Sequence, residues 1–173
     1  MQRMLSSLAL SGCLLATAAL AAAQTPMTAK AELKNANGEV VGHATLTETP
    51  HGVLIRTELT KVPPGVHAFH IHAVGKCEPP FTSAGGHFNP AGKQHGIKNP
   101  QGMHAGDMPN IEVPSSGMLT FEKLDQAVTL GSGSNSLFDA DGSALMLHEH
   151  GDDYTSDPAG DAGSRIACGV ITK

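Results

Sequence analysis

The chain has no tryptophan, one tyrosine and five phenylalanines in 173 residues. Few large aromatic anchors are therefore available to its core. It has no basic run, and 16 Asp and Glu outnumber 11 Lys and Arg, which argues against a nucleic-acid partner. Helical periodicity is nearly absent. The one weak stretch, Leu130 to Phe138, holds two Gly and several Ser and is expected to be a loop with at most a single helical turn. Cysteine is scarce too, with three in the whole chain, so a disulfide-dense scaffold is excluded.

What is present begins with an export signal. Met1 to Ala23 has a basic start at Arg3, an uncharged apolar run from Met4 to Leu20, and small residues at Ala21-Ala22-Ala23, the pattern of a cleaved signal peptide. The run is short for a spanning helix, so no membrane span is expected in the mature chain. Leu10-Ser11-Gly12-Cys13 also resembles a bacterial lipoprotein box. Cleavage after Ala23 is preferred because the residues after Cys13 stay apolar, and lipidation at Cys13 is the alternative. Either route exports the protein, and the periplasm of a bacterium is the expected compartment. Residues 24–173 then form one domain with one core. Loss of Arg3 takes the formal charge from −5 to about −6. Cys77 and Cys168 are the two cysteines left, and in an oxidising compartment they are expected to form one bridge. Closing so long a loop stabilises by about 4 kcal/mol on the chain-entropy model.

The densest chemistry runs from Gly65 to Asp107. In Val66-His67-Ala68-Phe69-His70-Ile71-His72 polar and apolar residues alternate with the period of a strand. His70 and His72 therefore share one face, and Phe69 and Ile71 share the other. Two imidazoles on one face can hold a metal ion. Cys77, His87, His95, His104 and Asp107 follow in a Gly- and Pro-rich segment of about forty residues without periodicity, a length that calls for function or cross-links to order it. Three imidazoles and a carboxylate suit tetrahedral zinc. His148 closes the set at the end of Ala144-Leu145-Met146-Leu147-His148.

The rest reads as strands and turns. Ala29–Lys34 and Val40–Thr47 flank the hairpin signal Asn35-Ala36-Asn37-Gly38. Gly52–Thr60 follows, then the turn Pro63-Pro64-Gly65 into the histidine strand. Phe88–Lys93 is expected to cross the wall briefly. Ile111–Val113 is expected to pair with Met118–Leu124 around Pro114-Ser115-Ser116-Gly117, and Ala144–His148 and Arg165–Ile171 supply the last two strands. Such a pattern implies an all-β fold: a Greek-key flattened β-barrel or sandwich of about eight antiparallel strands, with long metal-binding and active-site loops.

Gly65-Val66-His67-Ala68-Phe69-His70-Ile71-His72, Gly86-His87-Phe88-Asn89-Pro90, His104-Ala105-Gly106-Asp107, His148-Glu149 and Gly163-Ser164-Arg165-Ile166-Ala167-Cys168-Gly169-Val170-Ile171 resemble, in order, the signature segments of the copper/zinc superoxide dismutases. The resemblance implies one copper and one zinc per subunit. Copper would be held by His70, His72, His87 and His148, and zinc by His87, His95, His104 and Asp107, with the His87 ring shared. Imidazole suits both metals. It further implies that Asp152 links the copper ligand His70 to the zinc ligand His95, and that Arg165 orients the anionic substrate beside the copper. The implied reaction is dismutation of superoxide to O₂ and hydrogen peroxide by alternate reduction and oxidation of the copper, with His87 delivering a proton. A non-catalytic copper-carrying or metal-sequestering protein of the same fold is the alternative, and the completeness of the copper set and Arg165 speaks against it. His67 reads as structural, and His43, His51 and His150 as surface residues.

The segment from Glu149 to Ser164 departs from the eukaryotic members: it looks shorter and carries Glu149, Asp152, Asp153, Asp157 and Asp161 without a lysine. Any steering of an anion must then come from the metals, Arg165 and lysines elsewhere, with Lys76, Lys93 and Lys98 as candidates. Bacterial members occur as monomers and as dimers. A homodimer is preferred here, without a diagnostic apolar patch to carry it.

Overall fold

The structure, a computed structural model, describes residues 26–173. The expected signal peptide, residues 1–23, lies outside the described residues, as does Cys13. Nine strands are formed among the described residues: β1 (Thr28–Asn35), β2 (Val40–Thr49), β3 (Gly52–Leu59), β4 (Gly65–His67), β5 (Phe69–His72), β6 (Ile111–Val113), β7 (Leu119–Asp125), β8 (Ala144–His148) and β9 (Arg165–Val170). Among the described residues no helix is long and apolar enough to cross a membrane.

Alternation builds the wall. Ala29, Ala31 and Leu33 of β1 are buried while Lys30, Glu32 and Lys34 face water, and β2 and β3 repeat the pattern with Ala44, Leu46, Val53 and Ile55 inward. The β1–β2 turn forms where expected. Asn35 Oδ1 accepts the backbone N–H groups of Asn37 and Glu39 at 3.0 Å each, and Gly38 takes φ +81°, a region open to glycine without steric cost. Seven strands form one antiparallel sheet in the order β5-β8-β9-β1-β2-β3-β7, and β4 pairs with β6 in a second, two-stranded sheet. β1, β2 and β3 are a meander. The chain then crosses to β4 and β5, comes back as β7 beside β3, and crosses again so that β9 lies against β1, the connectivity of a Greek key.

Three local expectations are corrected. The histidine stretch is two strands, β4 and β5, in different sheets, divided at the fully buried Ala68, whose N–H donates to His150 O and whose carbonyl accepts from His148 N–H. Residues 111–113 and 119–125 do not pair with each other: β6 pairs with β4 and β7 with β3. Phe88–Lys93 is no strand. Phe88 is buried in the core, and its N–H donates to Ile71 O. Residues 130–138 form turns and bends without a helical turn, and the 3₁₀ turn present is Thr82–Ala84.

The main core fills the barrel with Leu33, Leu46, Ile55, Phe69, Ile71, Leu145 and Leu147. A smaller cluster of Phe81, Ala84, Ala144, Met146 and Cys168 lies on the other side of the β5–β8 wall. On β8 the inward residues are Leu145 and Leu147; Ala144, Met146 and His148 point outward with His70 and His72, which lie opposite Met146 and Ala144 in the ladder. The histidines thus stand on the outer surface of the barrel, beneath the long loops.

Candidate metal centre

Two groups of side chains each bring four ligand atoms within 4.8 Å of one another: His70, His72, His87 and His148, and His87, His95, His104 and Asp107. All seven residues are buried. β5 sets His70 and His72 two residues apart on one face. His87 is laid beside them by a bridge to His72, and His148 ends β8 at a register shift, opposite Arg165 of β9.

In the first group the ring atoms that could bind an ion are left without protein partners. Among the described residues His70 Nδ1 and His87 Nε2 are buried with no hydrogen-bond partner, and His72 Nε2 faces His148 Nε2 at 3.4 Å. Two of the opposite nitrogens are engaged. His72 Nδ1–H donates to Gly85 O at 3.0 Å, and His70 Nε2–H to Asp152 Oδ2 at 2.9 Å. Burial pushes His70 down to about 4 against the pull of the Asp152 hydrogen bond, with the His87 ring lowering it further. Burial, His87 and Arg165 hold His72 at about 2, and burial with His70 and His87 holds His148 at about 3. These rings are neutral at neutral pH, the form that binds metal.

In the second group three ring nitrogens converge on one oxygen. His87, His95 and His104 place Nδ1 at 2.7, 3.1 and 3.3 Å from Asp107 Oδ1. A tetrahedral ion with bonds of about 2.0–2.1 Å holds its ligand atoms about 3.3 Å apart, so the residues fit a zinc ion. Asp107 is fixed from behind, since Oδ2 accepts the N–H of Gly96 and of His104 at 3.0 Å each. Burial opposes its charge, but the His87 hydrogen bond and the Gly96 N–H hold it well below the usual carboxylate range. His87 faces both groups, Nδ1 to Asp107 and Nε2 to the first set.

Asp152 spans the two. Oδ2 accepts the N–H of His70 Nε2 and Oδ1 that of His95 Nε2, at 2.9 and 3.0 Å, which fixes both tautomers with Nδ1 free for a metal. A Cβ at Gly160, whose φ is +68°, would overlap Asp152 Oδ1 and His95 Nε2, so this position has no room for a side chain.

A family model described as copper/zinc superoxide dismutase (SODC) matches residues 40–171. The chain belongs to that family. It is 56% identical over 146 residues to superoxide dismutase [Cu-Zn] 2 of Aquifex aeolicus, covering 83% of this chain and 85% of the relative, and 44% identical over 147 residues to superoxide dismutase [Cu-Zn] of Caulobacter vibrioides, covering 83% and 84%. Among solved structures, a SOD-like protein from Bacillus subtilis superimposes with TM-score 0.79 at 39% identity, covering 82% of this chain and 96% of that one. Cu/Zn superoxide dismutase from Brucella abortus does so with TM-score 0.67 at 27%, covering 84% and 99%.

In this superoxide dismutase fold the other residues singled out from sequence fall as follows. Cys77 and Cys168 are joined by a disulfide, Cα to Cα 5.6 Å. It anchors a subloop whose carbonyls grip Arg165: Nη1–H donates to Phe81 O and Nη2–H to Gly85 O, 2.6 Å each. Gly85 O therefore serves both Arg165 and His72. His67 lies between the carbonyls of Pro63 and His148, 2.8 Å from each, and ties β4 to the end of β8. Lys76 pairs with Glu78 at 3.1 Å on the surface, Lys98 places Nζ 5.0 Å from the Tyr154 ring centroid, and Lys93 is exposed. His43, His51 and His150 are exposed.

Sequence reasoning missed three supports. Asn110 clamps the Asp152 backbone, its Oδ1 accepting Asp152 N–H at 2.8 Å and its Nδ2–H donating to Asp152 O at 2.9 Å. Asp157 Oδ1 accepts His95 N–H at 2.7 Å, so a second acid of the Glu149–Ser164 loop, after Asp152, is spent on holding a ligand. The carbonyls of Phe81 and Gly85 are backbone groups and carry no residue signal. Only the position of Asn110, three residues after Asp107, could have flagged it.

Proposed function

We propose that this chain is a working superoxide dismutase in which His70, His72, His87 and His148 hold copper and His87, His95, His104 and Asp107 hold zinc. The carrying observation is the shared ring of His87, with its two nitrogens facing two separate ligand sets. Copper, when bound, supplies the one-electron change by which two superoxide ions become O₂ and hydrogen peroxide, and zinc supplies fixed positive charge without redox chemistry. The protein's part is binding, orientation and proton supply. Arg165 stays cationic, and with two donors spent on Phe81 O and Gly85 O its remaining N–H groups can bind a small anion beside His148. His87 Nε2 is the atom at which a proton can be held for the departing peroxide, while Nδ1 stays against Asp107. Asp152 keeps His70 and His95 from turning.

Loading the exported chain with copper and zinc and following superoxide consumption tests the reading. Activity is expected in the loaded protein and not after copper is stripped; a loaded chain without activity would support the copper-carrying alternative instead. Removal of the leader after Ala23, export to the periplasm and assembly as a homodimer belong to the same proposal. The disulfide supports the oxidising compartment. Lys76, Lys93 and Lys98 remain the proposed steering charges.

A further inference from the structure

The Tyr154 backbone has φ +68°, a left-handed conformation that is rare and costly for a bulky residue and persists only where surroundings impose it. Its surroundings are two loops. From the Glu149–Ser164 loop, Tyr154 N–H donates to Asp152 Oδ1 at 2.6 Å, the same oxygen that accepts from His95 Nε2 at 3.0 Å. Toward the metal-bearing loop it makes three attachments. The phenol oxygen accepts Asn110 N–H at 2.8 Å, the backbone carbonyl accepts Lys98 N–H at 3.0 Å, and the ring lies under Lys98 Nζ. The carbonyl also presses on Gly96, where an added Cβ would overlap it, and Gly96 N–H is one of the two groups that fix Asp107 Oδ2.

Tyr154 is thus one step from His95 through Asp152 and one step from Asp107 through Gly96. We propose that Tyr154 is a positioning residue for the zinc site, a pin that locks the two loops together so that His95 and Asp107 are held in ligand geometry from behind. The inference rests on the zinc set proposed above. It also gives Lys98 a second task, holding the ring. A ring that merely covered the loops would not need a hydroxyl aimed at Asn110 N–H or a left-handed backbone beside the carboxylate of Asp152.

The test uses the full mature chain, as Tyr154→Phe and Tyr154→Ala beside the parent. Co(II) placed in the zinc site reports ligand geometry by its visible spectrum, a chelator reports the rate of zinc release, and calorimetry of the metal-free chains reports plain stability. Partners that orient metal ligands are worth roughly 10–100-fold in metal affinity. Tyr154→Phe, which loses only the hydroxyl, is expected to release zinc roughly tenfold faster with shifted Co(II) bands while its metal-free chain melts with the parent, and Tyr154→Ala to go further. Unchanged release and an unchanged Co(II) spectrum in Tyr154→Phe overturn the inference. So does a melting loss in the metal-free chain with the spectrum intact. A parent that takes up no tetrahedral Co(II) overturns the zinc reading and this inference with it, so the two failures are distinguishable.

Discussion

At the residue scale, the buried carboxyl of Asp125, outside both ligand sets, carries a cost of its own. It ends β7 pointing inward, with Oδ1 accepting Ala127 N–H at 2.9 Å and Oδ2 buried without a partner among the described residues. Burial raises it to about 6, against the Ala127 hydrogen bond and with help from the negative charge of Asp107. Its ordinary value in an unfolded chain is about 3.9. The folded state therefore keeps a proton that the unfolded chain has released, and this contribution to stability is complete below about pH 4 and lost as pH rises through 6. Asp125→Asn keeps the acceptor for Ala127 and cannot ionise. It should stabilise the metal-free chain by about 1–3 kcal/mol at pH 8 and by much less at pH 4. Thermal melts at the two values check it, and an equal effect at both would remove ionisation as the cause.

At the scale of elements, the subloop between Cys77 and Gly85 is the piece on which most depends. Its disulfide closes a separation of 91 residues, and its carbonyls aim Arg165 and set the tautomer of His72. Replacing Cys77 and Cys168 together by serine should cost about 2–5 kcal/mol. It should also lower turnover of the fully metallated enzyme at temperatures where it remains folded, because Arg165 loses its two acceptors. A variant that loses stability alone, with turnover per bound copper unchanged, would show that the grip on Arg165 does not need the bridge. The same scale shows what the sequence could and could not tell. Alternation reports which face a side chain takes, so His70 and His72 were legible as partners. It does not report which strand pairs alongside, so the break at Ala68, where the backbone turns its bonds to the segment after β8, was invisible. Pro114 to Gly117 does make the expected turn, with Gly117 N–H donating to Pro114 O at 2.9 Å. The two strands it joins still go to different sheets, a choice made by tertiary packing rather than by the turn. The ligand residues stood out because their side chains carry the chemistry. The carbonyls of Phe81 and Gly85 belong to any residue, and Gly160 shows its role only through the space that a Cβ would fill.

At the scale of the whole molecule, the formal charge of −5 over the full sequence opposes the approach of an anion. Structure changes how the local charges read. Asp157 is tied to His95 N–H, and Asp153 accepts from Thr155 and Ser156 within its own turn. Lys76 is partly offset by Glu78. Exposed charges at this spacing are screened over about 8–10 Å at physiological salt, so steering is read from the rate against ionic strength. Lys93→Gln and Lys98→Gln should lower the low-salt rate and flatten its salt dependence, with Lys76→Gln having the smallest effect. A slope unchanged from the parent in all three variants would remove these lysines from the approach path.

Three of the ligand residues, His70, His72 and His148, stand on the outside of the barrel wall, and His87, His95, His104 and Asp107 belong to the long loop that roofs it, between β5 and β6. That shelf is held by strand pairing and apolar packing, while the loop above it is tied by the Cys77–Cys168 bridge and by hydrogen bonds. Withdrawing the metals should therefore leave the strand side of this cradle standing and slacken its loop side first.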